Sequence, residues 1–204
     1  MKIKGFTLIE LLVVISILVI LISLFLTNLS RIQSNAQKTV CAKNIKVLTQ
    51  TLCLYTSEYE GYLKNCTQTT SAAEIYGYLF RRDGWNDLKN LICPCAENQT
   101  LPTTPNGYGS PLKLPDGITT LDYWIVFSGN TDPNFINTVT VPATNTIIIE
   151  KFNTVTKSWD STCNHKTGGN IGRLNGSAEY AAVIPSNKNS SGTTVEIKYE
   201  NCAK

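Results

Sequence analysis

One run of residues limits what this chain can become. From Phe6 to Leu29 every residue except Glu10 is uncharged, and most are Leu, Ile or Val. As a helix this run is about 36 Å long at roughly 1.5 Å per residue, enough to cross a hydrocarbon core of about 30 Å. It predicts a membrane span. Lys2 and Lys4 precede it and bias the amino terminus toward the cytoplasm by the positive-inside rule, so the rest of the chain is expected to be exported.

The flanks separate this run from a secretory signal peptide. Such a signal has an apolar core of roughly 7–15 residues with a small-x-small cleavage site after it. Here the run is longer, ends in Leu26-Thr27-Asn28-Leu29-Ser30, and has its small residue, Gly5, in front. Glu10 is the other anomaly, because an acidic side chain near a bilayer centre costs about 2.5–3.5 kcal/mol on insertion scales. The segment Lys4-Gly5-Phe6-Thr7-Leu8-Ile9-Glu10 resembles the leader of the type IV prepilin family, which includes type IV pilins and the pseudopilins of type II secretion. The resemblance implies cleavage by prepilin peptidase between Gly5 and Phe6, N-methylation of Phe6, and a role for Glu10 in filament assembly. That role has a physical basis: cleavage leaves a positive amine on Phe6, and Glu10 of a neighbouring subunit would neutralise it, so two costly groups become one pair.

No proline or glycine interrupts the chain from Phe6 to Glu60, which predicts one long helix ending at Gly61. Cys41, Ile45, Leu48, Leu52, Tyr55, Tyr59 and Tyr62 recur at alternating spacings of four and three, a single apolar stripe. The stripe needs a surface to cover it. Leu121–Phe127 and Thr144–Glu150 are rich in β-branched and aromatic residues between turn formers and read as strands. The expected fold class is therefore α+β and pilin-like, with the second half of the long helix packed on an antiparallel head. A short helix or turn is expected over Glu74–Arg82, and a surface loop over Leu101–Gly117.

Asn175-Gly176 reads as a two-residue type I′ hairpin turn, with Ile171–Leu174 and Ser177–Ile184 as its strands. His165, nine residues and then Asn175-Gly176 resemble the processing-associated H-X9-DG motif that follows a prepilin leader in one large group of pilin-like proteins. Leu91-Ile92-Cys93-Pro94 resembles that group's Cys-Pro segment. Asparagine replaces aspartate at Asn175, and Ser177 stands where histidine is frequent. The motif is read as structural, with His165 hydrogen-bonded at the approach to the hairpin.

His165 is the only histidine among 204 residues, and seven cysteines accompany it. Zinc ligation is not expected, since Cys93-Pro94-Cys95 has one intervening residue where structural zinc knuckles have two to four. Seven cysteines in an exported domain suggest disulfides, and an odd count leaves at least one unpaired. Cys163 with Cys202 is the favoured pair, tying the C-terminal strand to the hairpin region; Cys41 on the helix reads as a small buried apolar residue. Acidic residues lack calcium-loop spacing, and nucleophile elbows, P-loops and dinucleotide fingerprints are missing, so neither a cofactor nor an enzyme is expected.

Eighteen Lys and Arg face fifteen Asp and Glu; without Lys2 and Lys4 the balance is sixteen to fifteen, which gives no basis for nucleic-acid binding. The organisation read from the sequence is a leader at 1–5, a membrane and assembly helix at 6–29, its amphipathic continuation at 30–62 and a head at 63–204. The expected protein is a single-pass inner-membrane subunit with a periplasmic head, destined for a pilus-like or pseudopilus filament. Its expected partners are prepilin peptidase, copies of itself and other pilins or pseudopilins, the inner-membrane assembly platform and membrane lipid. The alternative is a membrane-anchored periplasmic binding module that never polymerises, its loops at Leu101–Gly117 and Thr131–Asn137 contacting a ligand.

Overall fold

The computed structural model describes residues 6–58, 71–80, 85–104, 111–126, 142–160, 163–188, 191–197 and 202–203. The chain divides into two compact units, Met1–Gln37 and Lys38–Lys204.

Helix α1, Leu8–Glu58, supplies the regular structure of the first unit. Its start is fixed by its own sequence. The N–H and Oγ1 of Thr7 donate to Glu10 Oε2 at 2.9 and 2.7 Å, and the Glu10 N–H donates to Thr7 Oγ1 at 3.3 Å. This is a T-x-x-E capping box, in which side chains satisfy donors that the first helical turn leaves orphaned. Large apolar residues from Phe6 to Leu26 are all exposed in the single chain. The helix is long and apolar enough to cross a membrane. Such a surface is stable only against lipid or other helices.

In the second unit the apolar stripe of α1 is buried at Cys41, Ile45, Leu48, Leu52 and Tyr55. Each such side chain contributes about 1.5–3 kcal/mol when taken fully out of water. Tyr59, Gly61 and Tyr62 lie outside the described residues. The covering surface is an antiparallel sheet of five strands in the order β4-β3-β2-β1-β7. Its strands are β1 Tyr123–Val126, β2 Thr146–Glu150, β3 Gly169–Arg173, β4 Ala178–Ala181 and β7 Cys202–Ala203. Strands β5 Ser186–Lys188 and β6 Thr194–Glu196 form a separate antiparallel pair.

Alternation along β1 divides two layers of core. Tyr123 and Ile125 join the α1 stripe, whereas Trp124 and Val126 join Ile149, Phe152, Trp159 and Ile171 on the opposite face. In β2 a register shift between Thr146 and Ile148 lets the consecutive Ile147 and Ile148 both enter the helix-side core. Helix α2, Ala72–Leu79, completes that core with Ile75, Tyr76 and Leu79. It begins at a capping box between Ser71 and Glu74, two residues ahead of the expected start at Glu74. The architecture is α+β, a long amino-terminal helix packed by its later part on an antiparallel sheet, and is consistent with a pilin-like fold.

The hairpin differs from a type I′ turn. Strands β3 and β4 pair from Gly169 with Ala181 to Gly172 with Ala178, and the Arg173 N–H donates to Ser177 O at 2.9 Å. That leaves a three-residue loop, Leu174 to Gly176, closed by the Gly176 N–H on Arg173 O. Gly176 alone of the pair has positive φ, +79°. Asn175 instead uses its side chain, accepting the Ser177 N–H at 3.0 Å and the Ser177 hydroxyl at 2.7 Å. The side-chain acceptor locks a turn that carries the glycine as its one left-handed residue.

Candidate functional site

Two sets of residues carry chemistry, and they belong to different units. In the first unit Phe6 and Glu10 sit at the start of α1, with Ile9, Val13 and Val14 lining an apolar hollow beside them. Glu10 lies in the first turn, and its carboxylate is held by Thr7. A carboxylate at a helix amino terminus is favoured by the exposed N–H groups there, which offsets part of the cost of placing it in an apolar run. Gly5 lies outside the described residues.

The second set is assembled by the fold of the head. Cys41 on α1, Cys93 after the 3₁₀ turn Leu88–Leu91, Glu150 at the end of β2 and His165 before β3 are all buried. Their thiol, carboxylate and imidazole atoms all lie within 4.8 Å of one another. Cys41 Sγ and Cys93 Sγ approach to 2.7 Å. His165 Nε2 is 3.4 Å from Glu150 Oε1 and 3.6 Å from Cys93 Sγ, and Cys41 Sγ is 3.9 Å from Glu150 Oε1. The Tyr123 hydroxyl donates to Cys41 Sγ at 3.3 Å, and the Cys95 N–H to Cys93 Sγ at 3.4 Å.

Backbone geometry holds the four side chains in place. The second oxygen of Glu150 accepts the Asn170 N–H at 2.9 Å and the Asn170 side chain at 3.2 Å. Asp122 accepts the Cys93 N–H at 2.8 Å through one oxygen and the Asn164 side chain at 3.1 Å through the other, so it fixes the backbone of Cys93 and the residue before His165. Burial pushes Glu150 up to about 7 and His165 down to about 4. The imidazole and carboxyl are therefore not an ordinary ion pair, because removal from water disfavours the charged form of each. The Cys93 thiol is raised by its contact with Cys41 and by burial.

His165 lies in this cluster, a few residues ahead of β3. The hairpin tip meets α1 elsewhere: the Cys53 thiol donates to Leu174 O at 3.2 Å, and Gln50 packs near Gly176. Strand β3 is thus tied toward the helix at both ends, through His165 near Cys41 and through its loop near Cys53.

Cys163 is a free thiol with weak contacts to Ser158 O and Asp160. Strand β7 pairs with β1, at the sheet edge opposite the β3–β4 hairpin. The side chain of Cys202, and all of Cys66, lie outside the described residues. Cys41 and Glu150 attract no notice as ligands in the sequence, since more than a hundred residues separate them and neither sits in a spaced motif.

A cleft of about 450 Å³ opens beside the cluster, lined by Ile92, Pro102, Pro115, Asp122, Asn164 and Lys166 among others. It draws Pro102 and Pro115 from the expected surface loop; Thr131–Asn137 lies outside the described residues.

Comparison with curated proteins and with solved structures found no match. Residues 1–26 match the family described as the prokaryotic N-terminal methylation motif. Gly5, Phe6 and Glu10 fall inside that match, and Glu10 lies in the first turn of α1. The amino-terminal segment of this chain carries the prepilin-type signature, that of a subunit processed at its amino terminus and anchored through an apolar helix.

Proposed function

We propose that this chain is a structural subunit of a type IV pilus-like or type II secretion pseudopilus filament. Prepilin peptidase cuts between Gly5 and Phe6, Phe6 is N-methylated, and the processed subunit is drawn from the inner membrane with its head in the periplasm. The observation that carries this reading is the prepilin-type signature on a helix whose large apolar side chains from Leu8 to Leu26 are exposed in the single chain. Leaving the membrane requires another apolar cover, and neighbouring copies of the same helix supply it. Glu10 gives the register, since the Phe6 amine of a neighbour neutralises it only at one stagger.

The test is Glu10→Ala in cells where this chain is the sole subunit of its kind. Membrane insertion and head folding are expected to persist while sheared filaments, detected by electron microscopy with antibody to the head, are lost. Filaments at wild-type levels would remove the assembly role.

A second reading is favoured by the cleft lined by Pro102 and Pro115: an anchored periplasmic module that binds a ligand and does not polymerise. Under that reading the Glu10 variant behaves like wild type in every assay of the head.

A further inference from the structure

We propose that Cys41, Cys93, Glu150 and His165 form a structural zinc site that clamps the long helix to the head. This goes beyond the filament reading and does not depend on it.

Geometry argues first. With zinc–ligand bonds of about 2.3 Å to sulfur and about 2.0–2.2 Å to nitrogen or oxygen, a tetrahedral site has ligand-to-ligand edges of roughly 3.4–3.8 Å. The His165–Glu150 edge is 3.4 Å, the His165–Cys93 edge 3.6 Å and the Cys41–Glu150 edge 3.9 Å. The first two edges, each between different donor types, fall within that range, and the third exceeds it by about 0.1 Å. The Cys41–Cys93 edge, at 2.7 Å, is shorter than a tetrahedral edge and longer than the roughly 2.05 Å of a disulfide. Rotation of one thiol by about 1 Å opens it to coordination distance.

The donors also select the metal. Two sulfurs, one imidazole nitrogen and one carboxylate oxygen suit zinc, whereas calcium and magnesium require oxygen shells. Four protein ligands close the shell, which is the pattern of a structural site. Binding one Zn²⁺ releases the two thiol protons to solvent, with the carboxyl proton wherever Glu150 carries one.

The surroundings are those of a supported site. Glu150 Oε2 is occupied by Asn170, which leaves Oε1 directed at the sulfurs and the imidazole. The Cys93 sulfur receives the Cys95 N–H, and the Cys41 sulfur receives the Tyr123 hydroxyl, which stabilise thiolate ligands. Asp122 orients the backbone of Cys93 and the side chain of Asn164 beside His165.

The experiment uses the full chain, purified in detergent without chelator or added reductant. Elemental analysis is expected to find one zinc per chain, and Cys93→Ser, Glu150→Gln and His165→Ala are expected to reduce it to background. Replacement of zinc by cobalt in the wild-type chain is expected to give a thiolate-to-cobalt charge-transfer band with the visible bands of tetrahedral cobalt. His165→Cys keeps four ligands and should retain cobalt with a shifted spectrum, so the site stays testable where other variants do not fold. Wild-type chain lacking both zinc and the cobalt bands overturns the proposal, whether peptide mapping finds the thiols of Cys41 and Cys93 free or joined as a disulfide. Zinc retained by all three loss variants overturns it equally.

Discussion

The hydroxyl of Thr49 on α1 occupies the space that a side chain at Gly172 of β3 would need. A Cβ at that position would overlap Thr49 Oγ1 and lie 3.0 Å from Ile45 Cγ2. Side chains of the helix therefore rest directly on the backbone of β3 at this point, and the absence of a side chain on Gly172 is what permits it. The neighbours Ile45, Leu48 and Leu52 are fully buried by the same approach.

Gly172→Val should consequently lower stability by about 1–3 kcal/mol or more, the usual cost of forcing extra methyl groups into a packed interior. Thr49 Oγ1 is buried without a hydrogen-bond partner, so Thr49→Ala alone should cost little. The double variant should recover part of the loss. Thermal melts of the two single variants and the pair measure this, and strictly additive losses would mean that the two positions do not press on each other.

At Gly176 the constraint is backbone and not space. A Cβ there would meet only Gln50 Cγ, at 3.6 Å, an ordinary contact, while φ is +79°. Replacement by a β-branched residue should cost about 1–2 kcal/mol, and Gly176→Asn distinctly less, because asparagine visits the left-handed region more readily. Equal destabilisation by valine and asparagine in chemical melts would point to lost packing instead.

Cys53 should be a slow thiol. Burial raises it to about 11, and its Sγ donates to Leu174 O. Near pH 8 its thiolate fraction is then lower by on the order of a hundredfold than that of an unperturbed cysteine, and alkylation should slow in proportion. Mass-spectrometric timing of maleimide addition to the folded chain checks this; labelling of Cys53 at the rate of a free cysteine peptide would show that the hairpin tip does not cover it.

Processing supplies a further expectation. Gly5 precedes the cut because the peptidase has to approach the backbone where a larger side chain would obstruct it. Gly5→Leu is expected to leave residues 1 to 5 attached, seen as an unprocessed mass and an unmethylated Phe6. A mature amino terminus still beginning at Phe6 would count heavily against prepilin processing.

Local signals in the sequence determined the long helix, the buried positions Cys41 to Tyr55, two core strands and the prepilin-type signature at the amino terminus. Each depends on residues a few positions apart: a 3.6-residue period, a two-residue alternation, a glycine beside an apolar run. The capping boxes at Thr7–Glu10 and Ser71–Glu74 were equally local and legible, although the surrounding composition masked the second. The hairpin was half legible, since Gly176 marks the turn but the Asn175 side-chain bonds choose the longer loop. The gathering of Cys41, Cys93, Glu150 and His165 was decided only by tertiary structure. These residues come from a helix, a loop, a strand end and a turn, and no spacing along the chain records that β2 and β3 lie side by side under α1. Cys93-Pro94-Cys95 is compact in sequence, yet the fold turns Cys93 toward a helix residue fifty-two positions earlier. Sheet pairing and helix docking are set by burial summed over the whole core, and that sum is what brings distant polar side chains into one dry space.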